Sequence, residues 1–148
     1  MTDIEFKQLM AIQKHVIDDI IILPKQGEVS VSVNVVSDST SDVFSIDLDR
    51  RGTITLSKKK LQERYLNEPV GMVRLEIDAP PHINPNGRRL SRNHIHIYSE
   101  KYGMSMAYEL DEISNTLFRN IYDFNSVFYD FFEFCNINLS TIEIQGVT

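Results

Sequence analysis

The sequence predicts a single α+β domain, in which an N-terminal and a C-terminal amphipathic helix cover an antiparallel sheet of about six strands. Apolar residues recur at helical spacing near both ends of the chain and alternate with polar residues in several short segments between them. The connections between these segments are short, which favours antiparallel neighbours. A chain of 148 residues can bury one sizeable core, so we expect residues 1–148 to form one domain.

Both long helices are predicted from their caps and apolar spacing. The first has a cap at Thr2 and runs for roughly five turns until it stops near Leu23-Pro24. His15 lies on it and is expected to be a surface residue. The second follows Asp123, and its apolar face should lie in the core, with Cys135 as inert packing. That face comprises Phe124, Val127, Phe128, Phe131, Phe132 and Cys135.

Alternating patterns predict the strands between the helices. Residues 29–35, 44–48 and 54–56 read as a three-stranded meander. Residues 57–69 are predicted to form a short helix capped by Ser57, with a basic outer face at Lys58, Lys59, Lys60 and Arg64. A hairpin spans residues 72–98. It is followed by a strand near 104–110, an irregular or briefly helical stretch over 111–122, the second long helix, and a final strand within 139–145.

The hairpin holds the residues most suited to chemistry. Successive side chains of a strand point to opposite faces, so Glu76, Asp78, His94 and His96 share the face turned away from the apolar core. His82 lies on the proline-stiffened loop between the two strands and can close over that face. Imidazole and carboxylate ligands suit zinc. We therefore expect a zinc site formed by His82, His94, His96 and Asp78, with Glu76 as the next carboxylate candidate.

Two other interpretations of these histidines remain open. They could serve as general acid and base in a metal-independent nuclease, with a phosphate held by Arg88, Arg89 and Arg92. They could instead only hydrogen-bond the carboxylates opposite and fix the hairpin. The spacing matches no common zinc-finger signature. No phosphate-cradling glycine loop, Cys-x-x-Cys pair or serine-nucleophile signature is present, which argues against the common enzyme classes.

Charge and composition narrow the possible partners. The net charge is −6, yet residues 50–101 carry 11 Lys and Arg against 5 Asp and Glu, between two acidic flanks. Contact with a partner or an anion is therefore expected at six basic residues: Lys58, Lys59, Lys60, Arg88, Arg89 and Arg92. Direct nucleic-acid binding is a lesser alternative. No apolar run is long enough to cross a membrane, and a lone cysteine fits a reducing compartment, so a cytoplasmic location is expected.

Several segments resemble, in the same order, an uncharacterised family of small bacterial and prophage proteins. They are FSIDLDRRGTITLSKKKLQERY, VRLEIDAPPHINPNG, HIHIYSEKYG and DFFEFCNI. The family signature reads P-P-H-x-N-P-D-G followed by H-x-H-x-Y-x-E-x-Y-G-x-x-W-A-Y. This chain departs from it at Asn86, where Asp is usual, and at Met106, where Trp is usual.

The resemblance extends to small acidic prophage proteins that inhibit type II CRISPR effector nucleases. It implies a non-enzymatic anti-CRISPR protein that binds the effector nuclease of a bacterial host and blocks nucleic-acid loading, with zinc in a structural role. A fainter similarity, to toxins with a D-x-A-P-H-H…H-x-H pattern, implies the alternative of a nuclease that uses His82, His94 and His96.

Overall fold

The computed structural model describes residues 1–28, 30–52 and 57–146, and its fold is α+β as predicted. The elements in chain order are α1 (Asp3–Ala11), β1 (Lys14–Val16), β2 (Ile20–Ile22), β3 (Val31–Ser37), β4 (Val43–Asp49), β5 (Lys59–Tyr65), β6 (Val70–Ile77), β7 (His82–Ile83), β8 (Arg89–Leu90), β9 (His94–Ile97), β10 (Ala107–Glu109), α2 (Leu110–Ile113), α3 (Phe124–Phe134), β11 (Ile137–Asn138) and β12 (Glu143–Gln145).

The main sheet is mostly antiparallel and larger than predicted. Within the described residues it contains eight strands in the order β10-β9-β6-β5-β4-β3-β1-β11, rather than about six. Only its last pair, β1 with β11, is parallel. Strands β2 and β12 form a separate parallel pair, and β7 and β8 form a small hairpin inside the loop between β6 and β9.

The first helix is shorter than the apolar spacing predicts. Thr2 caps it as expected, accepting a hydrogen bond from the Glu5 amide, but α1 ends at Ala11. The chain then forms β1, which pairs with β3, and β2, which pairs with β12. Pairing of β-branched residues with sheet neighbours has replaced the last turns of the predicted helix. None of the residues of α1 is fully buried, so the prediction that it covers the sheet is only partly met.

The short helix predicted over residues 57–69 is wrong, because most of this stretch is β5. Lys59, Leu61 and Glu63 alternate as buried residues along it. Lysine and glutamate are normally expected to face solvent, so the sequence does not show that every second residue of this strand is buried. The strand predicted at residues 54–56 lies outside the described residues.

Helix α3 covers one face of the main sheet, as predicted. Asp123 caps it, and its aromatic face is fully buried against β-strand residues such as Phe44, Leu61 and Leu75. The register places Leu48, Leu61, Leu75 and Ile95 in a row across four strands. Their sequence neighbours therefore point to the opposite face, where the loop between β6 and β9 lies.

Candidate metal centre

Strands β6 and β9 bring two histidines and a glutamate together on the face opposite α3. Glu76 pairs with His94, and Arg74 pairs with His96, in an antiparallel register. His94 and His96 are two positions apart, so both rings project from the same face, as predicted from parity. Both are almost completely buried, at 0% and 1% exposure.

Backbone carbonyls fix the orientation of both rings. Nδ1 of His94 lies 2.8 Å from the Ser91 carbonyl oxygen, and Nδ1 of His96 lies 2.8 Å from that of Met104. A carbonyl oxygen only accepts hydrogen bonds, so each Nδ1 must carry the hydrogen and donate. In the neutral form, Nε2 of each ring is then a bare acceptor. Histidines that bind metal ions in proteins almost always donate their other ring N–H to a carbonyl, a carboxylate or water, as these two rings do.

The acceptors of the two rings converge on one carboxylate oxygen. Oε2 of Glu76 lies 2.9 Å from Nε2 of His94 and 3.4 Å from Nε2 of His96. Acceptors at this separation repel one another unless a proton or a cation lies between them. Among the described residues, Glu76, His94 and His96 are the group whose ligand atoms lie within 4.8 Å of one another, close enough to bind a metal ion.

The carboxylate of Glu76 gives the cluster a negative charge that attracts a positive one, either a proton on His94 or a metal ion. Contacts with His94 and then His96 hold the pKa of Glu76 well below its usual range, so this carboxylate is ionised. Burial acts to lower the pKa of His94, but hydrogen bonds to Glu76 and the Ser91 carbonyl raise it above its ordinary value. Nε2 of His96 is buried and finds no well-aligned hydrogen-bond partner in the described part of the chain.

His82 lies over the other two histidines, where the stiff loop was expected to carry it. Its ring centroid is 4.6 Å from that of His96 and 5.7 Å from that of His94. Its Nε2 donates to the Ser105 carbonyl at 2.8 Å, which leaves Nδ1 as the acceptor. His82 is therefore a neighbour of the three-ligand group rather than a member of it.

Asp78, expected as the first-choice carboxylate, is not part of this group. Strand β6 ends at Ile77, and Asp78 adopts a φ of 52°, which turns the chain out of the strand. The Asp78 amide donates to Oδ1 of Asn93 at 2.9 Å. The structure thus brings together Glu76, which the sequence ranked second, with His94 and His96.

The predicted basic contact residues are scattered over several environments. Lys59 is buried and its Nζ donates to the Ser57 carbonyl at 3.0 Å, so its placement on a basic outer face is wrong. Arg88 forms two hydrogen bonds with Glu112, and Arg92 donates to the Asp78 carbonyl. Of the others, Lys58 and Arg89 are exposed, and Lys60 is half-buried.

A second buried polar group, which the sequence did not reveal, lies on the opposite face of the sheet beneath α3. Lys14, Glu63 and Cys135 are each 0% exposed. Nζ of Lys14 donates to the carbonyls of Met10, Ile12 and Cys135, which ties the ends of α1 and α3 together. Burial raises the pKa of Glu63 to about 7 and that of the Cys135 thiol well above its ordinary value.

Within the described residues, none of the helices is both long and apolar enough to cross a bilayer. No curated protein and no solved structure shows a significant match to the chain. The family model of DUF6978, a family of unknown function, matches residues 1–137. Since that span is most of the sequence, the chain belongs to this family.

Proposed function

We propose that this protein is a non-enzymatic inhibitor that binds a type II CRISPR effector nuclease, and that its histidine hairpin is held by a structural zinc ion. The observation that carries the metal centre is the convergence of two carbonyl-oriented imidazoles on the carboxylate of Glu76. The zinc ion would hold the long loop between β6 and β9 against the sheet and so stabilise the fold.

Zinc is the metal that the donor set favours. Imidazole nitrogens with one carboxylate oxygen form a borderline set that zinc accepts at about 2.0–2.2 Å. Tetrahedral ligands at that range are separated by about 3.4 Å. Oε2 of Glu76 lies 3.4 Å from Nε2 of His96, which matches this separation, and 2.9 Å from Nε2 of His94, which would have to move about 0.5 Å further away to hold the ion with it. His82 would be the fourth ligand, through Nδ1, since its ring centroid is 4.6 Å from that of His96 and its Nε2 is occupied by the Ser105 carbonyl.

Burial favours a structural role over catalysis. A catalytic zinc site keeps one position open for water or substrate. Here His94 and His96 are almost inaccessible, and the ring of His82 lies beside them. Arg88 is paired with Glu112, so the phosphate-binding arginines that a metal-independent nuclease would need are not all available.

Metal analysis of the purified protein tests the centre. We expect close to one zinc per chain, and loss of the ion in His94→Ala and His96→Ala. His15→Ala is the matched control, because His15 is exposed and its side chain pairs, among the described residues, with Asp38 alone. A chelator should lower the melting temperature of the wild type but not of His94→Ala, since ion binding stabilises only the folded chain. Absence of zinc after refolding with the metal would exclude the centre.

The proposal of an inhibitor is supported by charge and by the prophage resemblance. A chain of net charge −6 is attracted to the basic surface of a nucleic-acid-binding protein. Mixing the protein with the effector nuclease, before guide or target DNA is added, should abolish target cleavage. Undiminished cleavage at excess protein would reject the inhibitor.

The same assays distinguish the proposed inhibitor from the alternative, a nuclease. An inhibitor leaves RNA and DNA intact in the absence of the effector, and His82→Ala changes only stability. A nuclease would cut one of these substrates, and the cutting would disappear in His94→Ala and His96→Ala while zinc-free protein stayed folded.

A further inference from the structure

The outer face of β2 is unusually apolar for a surface strand. Ile20 and Ile22 are 45% and 62% exposed, and Ile17 just before the strand is 55% exposed. Eight large hydrophobic residues are exposed in the described part of the chain, and three of them fall within these six positions. Single exposed isoleucines are ordinary, but a cluster of them on one strand indicates a contact surface.

The backbone of β2 also has an open edge. The Leu23 amide donates to the Gln145 carbonyl, and the Glu143 amide donates to that of Asp19. Backbone groups alternate along a strand, so the N–H and C=O groups of Ile20 and Ile22 point away from β12. Within residues 1–28, 30–52 and 57–146, no third strand pairs with that edge. The three residues of β2 include no lysine or proline, which many proteins place on exposed edges.

Acidic residues border this surface. Asp18 and Asp19 are exposed immediately before the strand, and Glu143 is exposed on the paired strand β12. Neither aspartate has an ion-pair partner among the described residues. Carboxylates beside an open edge repel a second copy of this acidic chain, and they attract lysine and arginine.

We infer that β2 binds an extended basic segment of a partner protein by strand addition. The partner's backbone would hydrogen-bond to Ile20 and Ile22, its apolar side chains would cover the isoleucines, and its basic side chains would lie near Asp18 and Asp19. The inference rests on the proposed role as a protein-binding inhibitor and deepens it by naming the contact surface and the chemistry of the segment.

A peptide probe tests the surface without the effector. A short peptide of alternating lysine and valine should bind at millimolar concentration or better and slow hydrogen exchange of the Ile20 and Ile22 amides. A peptide of alternating glutamate and valine should bind at least about tenfold more weakly. Absence of protection with both peptides would overturn the inference. So would dimerisation that itself protects these two amides, since the occupant would then be a second copy.

Variants extend the test to the effector nuclease. Ile20→Lys/Ile22→Lys should weaken effector binding by about tenfold or more, at an unchanged melting temperature. Ile4→Lys and Ile83→Lys are the matched controls, since both residues are exposed, at 71% and 62%, and lie elsewhere. Equal binding by all four proteins would overturn the surface and leave the inhibitor standing. If the wild type does not bind the effector, the inhibitor is rejected, and the peptide result alone decides the surface.

Discussion

The backbone torsion of one residue decides which carboxylate faces the histidines. Glu76 and Asp78 have the same parity, so the sequence pattern treats them as equivalent. The strand ends between them, and the positive φ of Asp78 removes it from the ladder. The choice also depends on the register, in which Glu76 is directly opposite His94. A sequence pattern gives the parity of a strand but not its register or its last residue.

The two carboxylates should therefore respond differently to neutralisation. Glu76→Gln removes the anionic oxygen on which the two imidazoles converge, so we expect zinc binding to weaken by at least about tenfold. Asp78→Asn, the matched control, should retain zinc at the wild-type ratio. Competition with a chromophoric chelator measures both affinities. Equal affinities in the two variants would show that Glu76 is not a ligand.

At the scale of elements, the side chain of Asn84 hydrogen-bonds to the backbone of the edge strand β10. Asn84 lies in the loop between β7 and β8 and is 3% exposed, and its amide group takes the place that the backbone of a further strand would take. Its Nδ2 donates to the Ala107 carbonyl, and its Oδ1 accepts from the Ala107 amide, both at 2.9 Å. The loop that carries His82 is therefore attached beside β10 at two places, through His82 to Ser105 and through Asn84 to Ala107.

Asn84→Ala should destabilise the protein by about 2–4 kcal/mol, because it leaves two buried backbone groups of Ala107 without partners. Asn86→Ala is the control. It removes one exposed turn contact, to the Arg88 amide, and should change the free energy of unfolding by less than about 1 kcal/mol. Urea denaturation of both variants measures the difference. Similar midpoints would mean that the Asn84 contacts are replaced by water.

Elements whose apolar residues follow one period were predictable, whereas those with buried charges were not. The aromatic face of α3 and the alternation in β3 and β4 come directly from the sequence. In β5, Lys59 and Glu63 occupy core-facing positions, so the strand lacks the apolar alternation by which strands are recognised. The histidine pair was predictable because parity follows from the strand assignment alone. The backbone carbonyls of Ser91 and Met104, which orient the rings, could not be predicted, because every residue type has a backbone carbonyl.

For the molecule as a whole, the buried Glu63 links stability to pH. Both of its carboxylate oxygens are buried, and Lys14 and Cys135 are the titratable groups that act on it. Burial favours the neutral acid and raises the pKa of Glu63 to about 7, from an ordinary 4.5. The folded state therefore keeps a proton that the unfolded chain has lost between these two pH values. Stability from this group is fully present below pH 4.5 and is lost as the pH rises through 7.

Glu63→Gln should remove this dependence. The free energy of unfolding of the wild type, relative to Glu63→Gln, should fall by on the order of 3 kcal/mol between pH 4.5 and 7.5. Comparison of the two proteins cancels the titration of the histidines. Glu133→Gln, at an exposed position on α3, is the control, and its free energy of unfolding should change with pH as that of the wild type does. Urea midpoints measured across this range provide the test, and a constant difference would show that Glu63 stays ionised.

The parallel pairs β1 with β11 and β2 with β12 have a consequence for synthesis on the ribosome. Strands β3 to β6 pair with neighbours close in sequence and can assemble early. Strand β2 must wait until residues 143–145 have emerged, after more than a hundred further residues have been made. During that interval both edges of three consecutive isoleucines are open, so a chaperone that binds nascent chains would be expected to shield this segment.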